Sequence, residues 1–114
     1  TDKEKRTNVR DRVLKSREER EQEMLTSIEG RMQYESNMQE AVAAYLAALA
    51  LDVGYAPAHR GLGEAQFALA QHREAARTLQ RYLKLEPEAL DKTIVMDRLR
   101  DIVKELKAEQ EREP

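Results

Sequence analysis

Two histidines, His59 and His72, a set of twenty-two carboxylates and the Gly61-Leu62-Gly63 stretch are the residues with which this chain could do chemistry. A catalytic site needs a nucleophile, a base and an electrophilic group within mutual reach. Neither histidine belongs to a His-Glu-x-x-His pair, and no acidic calcium-loop spacing is present, so zinc and calcium sites are not expected. The glycine stretch has the outline of a phosphate loop, yet it lacks both the preceding strand and the Lys-Ser/Thr ending that would hold a nucleotide. Glu18, Glu19, Glu21 and Glu23 read as a solvated helix face. His59 falls at helical spacing with Leu62, Ala65 and Leu69, which predicts a packing role. His72 falls in a predicted turn, where it should be solvated. The sequence therefore predicts no catalytic residue, no metal and no cofactor, and a protein that is not an enzyme.

What remains is binding, and the charge pattern narrows it. Charged residues make up 37% of the chain and aromatic residues 4%, with 20 basic against 22 acidic side chains. Mixed charge of this kind selects no polyanionic partner. Residues 1–20 hold eight Lys/Arg and five Asp/Glu, but no aromatic side chain is interleaved for base stacking, so nucleic acid is not the expected partner. The same segment has Val9, Val13 and Leu14 as its apolar residues, too few for a helix lying in a membrane interface. No apolar run is long enough to span a bilayer. The chain contains no cysteine, which suits a reducing or an oxidising compartment alike and leaves cytoplasm and periplasm both open. It starts at Thr1 rather than Met, so a trimmed fragment is expected, with any targeting segment or anchor upstream.

The elements that would position a binding surface show in an internal repeat. Glu40-Ala41 matches Glu74-Ala75, Tyr45 matches Leu79, Ala48 matches Tyr82, Leu49 matches Leu83, Leu51 matches Leu85 and Asp52 matches Glu86, all at an offset of 34 residues. Each copy reads as two helices. In the second copy Pro57 suits a first helical turn, Ala70-Gln71-His72-Arg73 interrupts the apolar spacing, and Pro87 ends the second helix. In the first copy Ser36 and Gln39 form a capping-box signature, and Gly54 marks the following break. Helix pairs are predicted over 22–35 and 38–51, and over 57–70 and 73–86. Leu90, Ile94, Val95, Leu99, Ile102, Val103 and Leu106 predict a closing helix over 89–107. The polar residues after it should fray.

With His59, Leu62-Gly63, Phe67, Ala75, Leu79 and Pro87 in the second copy, and Leu25, Ile28, Met32, Ala41, Tyr45 and Ala48 in the first, the chain resembles the tetratricopeptide repeat family over roughly residues 22–87. His59 stands where that family has Trp, Gln66 where it has an aromatic residue, Tyr82 where it has a small one, Glu29 where it has Gly and Val53 where it has Pro. The resemblance implies an all-α, short α-solenoid of antiparallel helix pairs. Its layout would be a charged N-terminal helical extension over 1–21, two repeats over 22–87, a capping helix over 88–107 and a polar tail over 108–114. Leu62, Gly63, Ala41, Ala75, Leu79 and Pro87 would be its packing signature.

The resemblance further implies an adaptor that binds another protein, as a peptide or helix, in a concave groove lined by first helices. Gln33, Tyr34, Arg60, Glu64, Phe67 and Arg98 would line it, with Thr26, Gly30, Ala68, Asp91 and Ile94 at neighbouring positions. Thr26, Gly30 and Gly61 stand where the carboxylate-gripping members of the family need Lys or Asn, so a partner's C-terminal carboxylate is not the expected ligand. The alternative is a structural assembly subunit, a homo-oligomer or part of a larger complex, joined through the N-terminal helix or an open repeat edge. Residues 1–20 should add little to core stability. Their deletion is expected to leave the thermal midpoint of the monomer nearly unchanged; a chain that unfolds without them would place them in the core.

Overall fold

The computed structural model describes the backbone of residues 2–113 and the side chains of residues 16–113. The chain is all-α: α1 spans Asp2–Leu51, α2 Ala56–Ala68, α3 His72–Leu85 and α4 Lys92–Arg112, with no strand among the described residues. It divides into two units, Thr1–Tyr34 and Glu35–Pro114. Val9, Val13 and Leu14 have side chains outside the described residues.

The described residues of the first unit, 2–34, are all helix. Every residue from 17 to 34 is exposed, so this stretch is held by hydrogen bonds local to the helix. Arg20 Nε, for example, donates to the Ser16 carbonyl one turn back at 3.3 Å.

The predicted break between 35 and 38 is absent, because α1 runs through it without interruption. Residues 22–35 and 38–51 therefore form one helix and not an antiparallel pair. The reason is local. Ser36, Asn37 and Gln39 cost a helix interior only tenths of a kcal/mol each, about a fifth of what Pro would cost. No Gly or Pro stands there to turn the chain. The break comes instead at Gly54, whose N–H donates to the Asp52 carboxylate at 3.1 Å, a turn that Asp favours by bonding the backbone two residues on.

The second unit is built on α2. Ala56, Ala58, His59, Leu62, Gly63, Ala65 and Gln66 are buried on it, a broad face that must be covered on more than one side. Met38, Ala41, Val42, Tyr45, Ala48 and Leu49 of α1 are half-buried at helical spacing. Tyr45 lies against Gly61 so closely that a Cβ there would collide with its ring. On another side α3 folds back antiparallel. The reversal is a Schellman-type cap: Gln71 N–H donates to Gln66 O at 2.9 Å and Ala70 N–H to Phe67 O at 3.0 Å, with Ala70 at a left-handed φ of 59°. Gly63 meets the Leu79 side chain, where any Cβ would clash. Ala75 and Leu79 are fully buried.

Helix α4 closes over α3 with Val95 and Ile102, both fully buried. Ala56, Ala75, Leu79, Tyr82, Val95 and Ile102 form one core, flanked by Phe67, Ala76, Leu83, Leu85, Ala89, Leu99 and Leu106. Pro87 lies exposed in the turn after α3. Helix α4 starts later than expected and continues to Arg112, five residues past the predicted end at 107. Its last turns are helical, with Ala108 and Glu109 half-buried and Glu109 bonded to His72.

Gly63→Leu should force α2 and α3 apart and lower stability by about 1–3 kcal/mol. Gly30 has open space around its Cα, so Gly30→Ala should instead raise helix content and gain about 0.5–1 kcal/mol. Urea titrations of the two variants check both signs; an unchanged midpoint for Gly63→Leu would remove the close contact from the account.

Candidate functional site

Four of the residues expected in the groove, Arg60, Glu64, Phe67 and Arg98, come together on one surface of the second unit. Arg60 and Glu64 are one turn apart on α2, and Arg98 reaches them from α4. Arg60 donates through Nε to Asp91 at 2.9 Å and through a terminal nitrogen to Glu64 at 2.5 Å. Arg98 Nε donates to Glu64 at 3.0 Å, with a longer ion pair to Asp101 at 3.6 Å. The guanidinium carbon of Arg98 stands 4.5 Å from the centre of the Phe67 ring, the geometry of a cation–π contact. Phe67 in turn packs edge-on to His72. Two guanidiniums, Arg60 and Arg98, stand against three carboxylates, Glu64, Asp91 and Asp101.

These charges are partners of one another as well as surface groups. Arg60, Glu64 and Arg98 keep 23%, 31% and 36% of their side-chain area exposed. That is enough to meet a second molecule, and too much for the ion pairs to be strong anchors of the fold on their own. Phe67 is partly covered by the core, so it contributes to both packing and surface.

Asp91 is the pivot. It sits at the start of α4, where an aspartate commonly caps the helix, but it makes no side-chain cap bond. Its carboxylate instead accepts from the Tyr82 hydroxyl at 2.7 Å and from Arg60. The Tyr82 hydrogen bond first, and Arg60 second, hold the Asp91 carboxyl below its ordinary range. The same bond, together with burial, raises the Tyr82 hydroxyl. Burial works against the charged Arg60 guanidinium, but bonds and charges from Asp91 and Glu64 outweigh it and raise its pKa. Beside this cluster a surface groove of about 530 Å³ is lined by Ala56, Pro57, Arg60, Tyr82 and Leu90 among others.

Both histidines are hydrogen-bonded within the second unit. His59 is buried and bonds the Val53 carbonyl through Nε2 at 2.8 Å; a carbonyl only accepts, so Nε2 carries the proton. His72 does not project into solvent as its place in a turn predicts. It opens α3, keeps 10% of its side-chain area exposed and bonds Glu109 through Nδ1 at 2.5 Å. Burial beneath the end of α4 is the cause, and the continuation of that helix was not visible in its polar composition.

Gln33 and Tyr34 belong to the first unit, and both are exposed. Of the packing signature, Leu62, Gly63, Ala75 and Leu79 are buried, Ala41 is half-buried and Pro87 is exposed. Sequence reasoning missed Tyr82 and His72 as polar partners, and also a second groove of about 460 Å³ on α4. Met96, Leu99 and Val103 line it beside Arg100, Lys104 and Lys107. The spacing of Met96, Leu99 and Val103 was the available signal. Among the described residues no group of His, Asp and Glu is placed to hold a metal, and no helix is long and apolar enough to cross a membrane.

The Asp91 cluster gives a two-sided pH dependence. A depressed carboxyl adds stability above its unfolded pKa that is lost as pH falls through the folded value. A raised tyrosine adds stability below its unfolded pKa that is lost as pH rises through the folded value. Stability should hold across neutral pH and decline below the carboxylate range and above the tyrosine range. Tyr82→Phe should cost about 1–2 kcal/mol at neutral pH and weaken both limbs, whereas Asp91→Asn should weaken the acid limb most. Thermal midpoints measured across the pH range check this; identical profiles for wild type and both variants would contradict it.

No protein-family model, no curated protein and no solved structure matches the chain.

Proposed function

We propose that this chain is a protein-interaction adaptor, without catalytic activity, that binds a peptide or helix of another protein. The observation that carries the proposal is the convergence of Arg60, Glu64, Phe67 and Arg98 from α2 and α4 on one partly exposed surface. Arg beside an aromatic ring is a common composition for binding anchors, because each makes a large contact at modest cost in flexibility. The surface carries both signs of charge, so it suits a partner segment of mixed charge. Arg60 would meet an acidic or carbonyl group, Glu64 a basic one and Phe67 an apolar side chain. The 34-residue spacing of Glu64 and Arg98 equals the repeat offset, and this supports a tetratricopeptide-like array in which successive first helices share one face.

A second reading, an assembly subunit, draws support from the exposed Met24, Leu25, Ile28 and Met32 of α1.

With a partner captured on the immobilised chain and identified by mass spectrometry, Arg60→Ala and Phe67→Ala should each weaken binding by about 1–3 kcal/mol. Circular dichroism melts of both variants separate lost binding from lost folding. Folded variants that bind as wild type does, alongside loss of association on changing residues 1–20, would transfer the function from this surface to α1.

A further inference from the structure

We propose that the groove of α4 receives α1 of a second copy of this chain, antiparallel, through Met24, Leu25, Ile28 and Met32 and the acidic edge beside them. The inference rests on the assembly reading and is independent of the Arg60 surface.

On α4, Met96 and Val103 keep 43% and 47% of their area exposed. With the half-buried Leu99 they form an apolar strip at helical spacing. Val95 and Ile102 take the core side of the helix, so the strip lies beside the buried face. Arg100, Lys104 and Lys107 border the groove. At about 100° per residue they fall clockwise of the strip, viewed down the helix from its N-terminus. Arg100 pairs with Asp97 at 3.1 Å. Among the described residues, Lys104 and Lys107 have no ion-pair partner.

The first unit carries the complement. Met24, Leu25, Ile28 and Met32 are all exposed and fall on one side of α1. Glu18 and Glu29 border that side, also clockwise from the N-terminus, and Glu21 stands within it. Arg20 and Arg31 lie on the other border. Both surfaces are thus apolar strips with a charged clockwise border, basic on α4 and acidic on α1. Apolar side chains clustered on an uncovered face mark a surface that another element covers, and the opposite borders say which.

Handedness sets the direction. When two helices face each other antiparallel, their clockwise borders meet on the same side; when parallel, they fall on opposite sides. The antiparallel arrangement therefore lays acid along base while the apolar strips touch. With Met32 opposite Met96 and Leu25 opposite Val103, Ile28 falls beside Leu99, Glu29 beside Arg100, and Glu21 and Glu18 beside Lys107. Apolar burial supplies the attraction along this seam, and the charged edge fixes partner and orientation.

The test is the mass of the intact chain by sedimentation equilibrium. Wild type should exceed its 13.2 kDa monomer mass as concentration rises. Ile28→Glu and Val103→Glu should each lose association at the same concentrations. Both residues are exposed, so circular dichroism should show unchanged helix content. An equimolar mixture of the two variants should associate again, because the first keeps its groove and the second its α1 strip. Glu21→Lys should weaken association, and adding Lys107→Glu to it should restore association.

A wild type that stays monomeric overturns the contact and leaves the groove to a helix of another protein. Association lost with Ile28→Glu but kept with Val103→Glu overturns α4 as the receiving surface, while assembly through α1 stands. A mixture that stays monomeric overturns the pairing of these unlike surfaces. A charge swap that fails to restore association overturns the antiparallel register.

Discussion

The contact between Gly63 and Leu79 sets the distances in the compact part of this molecule. With no Cβ at residue 63, α2 comes close enough for the fully buried Leu79 to fill the space above its backbone. The consequences run outward from there. Thr78 reaches across to Gln66 at 2.7 Å, so the side-chain amide oxygen of a buried glutamine is satisfied. Tyr82, one turn further along α3, is brought to Asp91. Asp91 then comes within reach of Arg60, and Glu64 within reach of Arg98. A methyl group inserted at residue 63 would lengthen each of these spans, and hydrogen bonds weaken quickly with distance.

The polar cluster that results has a structural and a surface role, and the two are in tension. Individually its ion pairs are exposed by a quarter to a third, where solvent screens them and their worth is small. Linked through shared groups, they fix the rotamers of two arginines in advance. A partner that binds here does not have to order those side chains itself, and that lowers the entropy cost of association. It does have to offer charge that replaces what Arg60 and Arg98 give up. The cluster therefore selects against simple anions, for which Glu64 and Asp91 compete, and favours a segment carrying both signs of charge.

How far the sequence showed this depends on what sort of signal each element carried. The α2–α3 pair was legible. Gly63 and Ala75 stood at one close approach, Ala70-Gln71 interrupted the apolar spacing, and Pro87 ended the second helix. The first repeat was not, because its break was inferred from a capping signature at Ser36 and Gln39. A cap can start a helix but cannot stop one, and without Gly or Pro the helix carried on through it. The ends of α4 were misjudged for a related reason. Composition gave a polar tail after residue 107, while a tertiary bond from His72 to Glu109 holds that tail helical. Of the candidate surface, Arg60, Glu64, Phe67 and Arg98 followed from repeat position. Glu64 and Arg98 stand 34 residues apart, so the repeat offset already aligned them. Tyr82 registered only as a departure from a small residue, and the aspartate nine residues later that accepts its hydroxyl was the signal left unused.

The most direct measurement is a double-mutant cycle between Gly63→Ala and Asp91→Asn, read by chemical denaturation. The two residues do not touch, so any coupling must pass through the spacing of the helices. If that spacing sets the polar cluster, Asp91→Asn will cost less in the Gly63→Ala background, with a coupling of at least about 0.5 kcal/mol. If the two costs simply add, to within roughly 0.3 kcal/mol, then the cluster forms without the close approach and the account is contradicted.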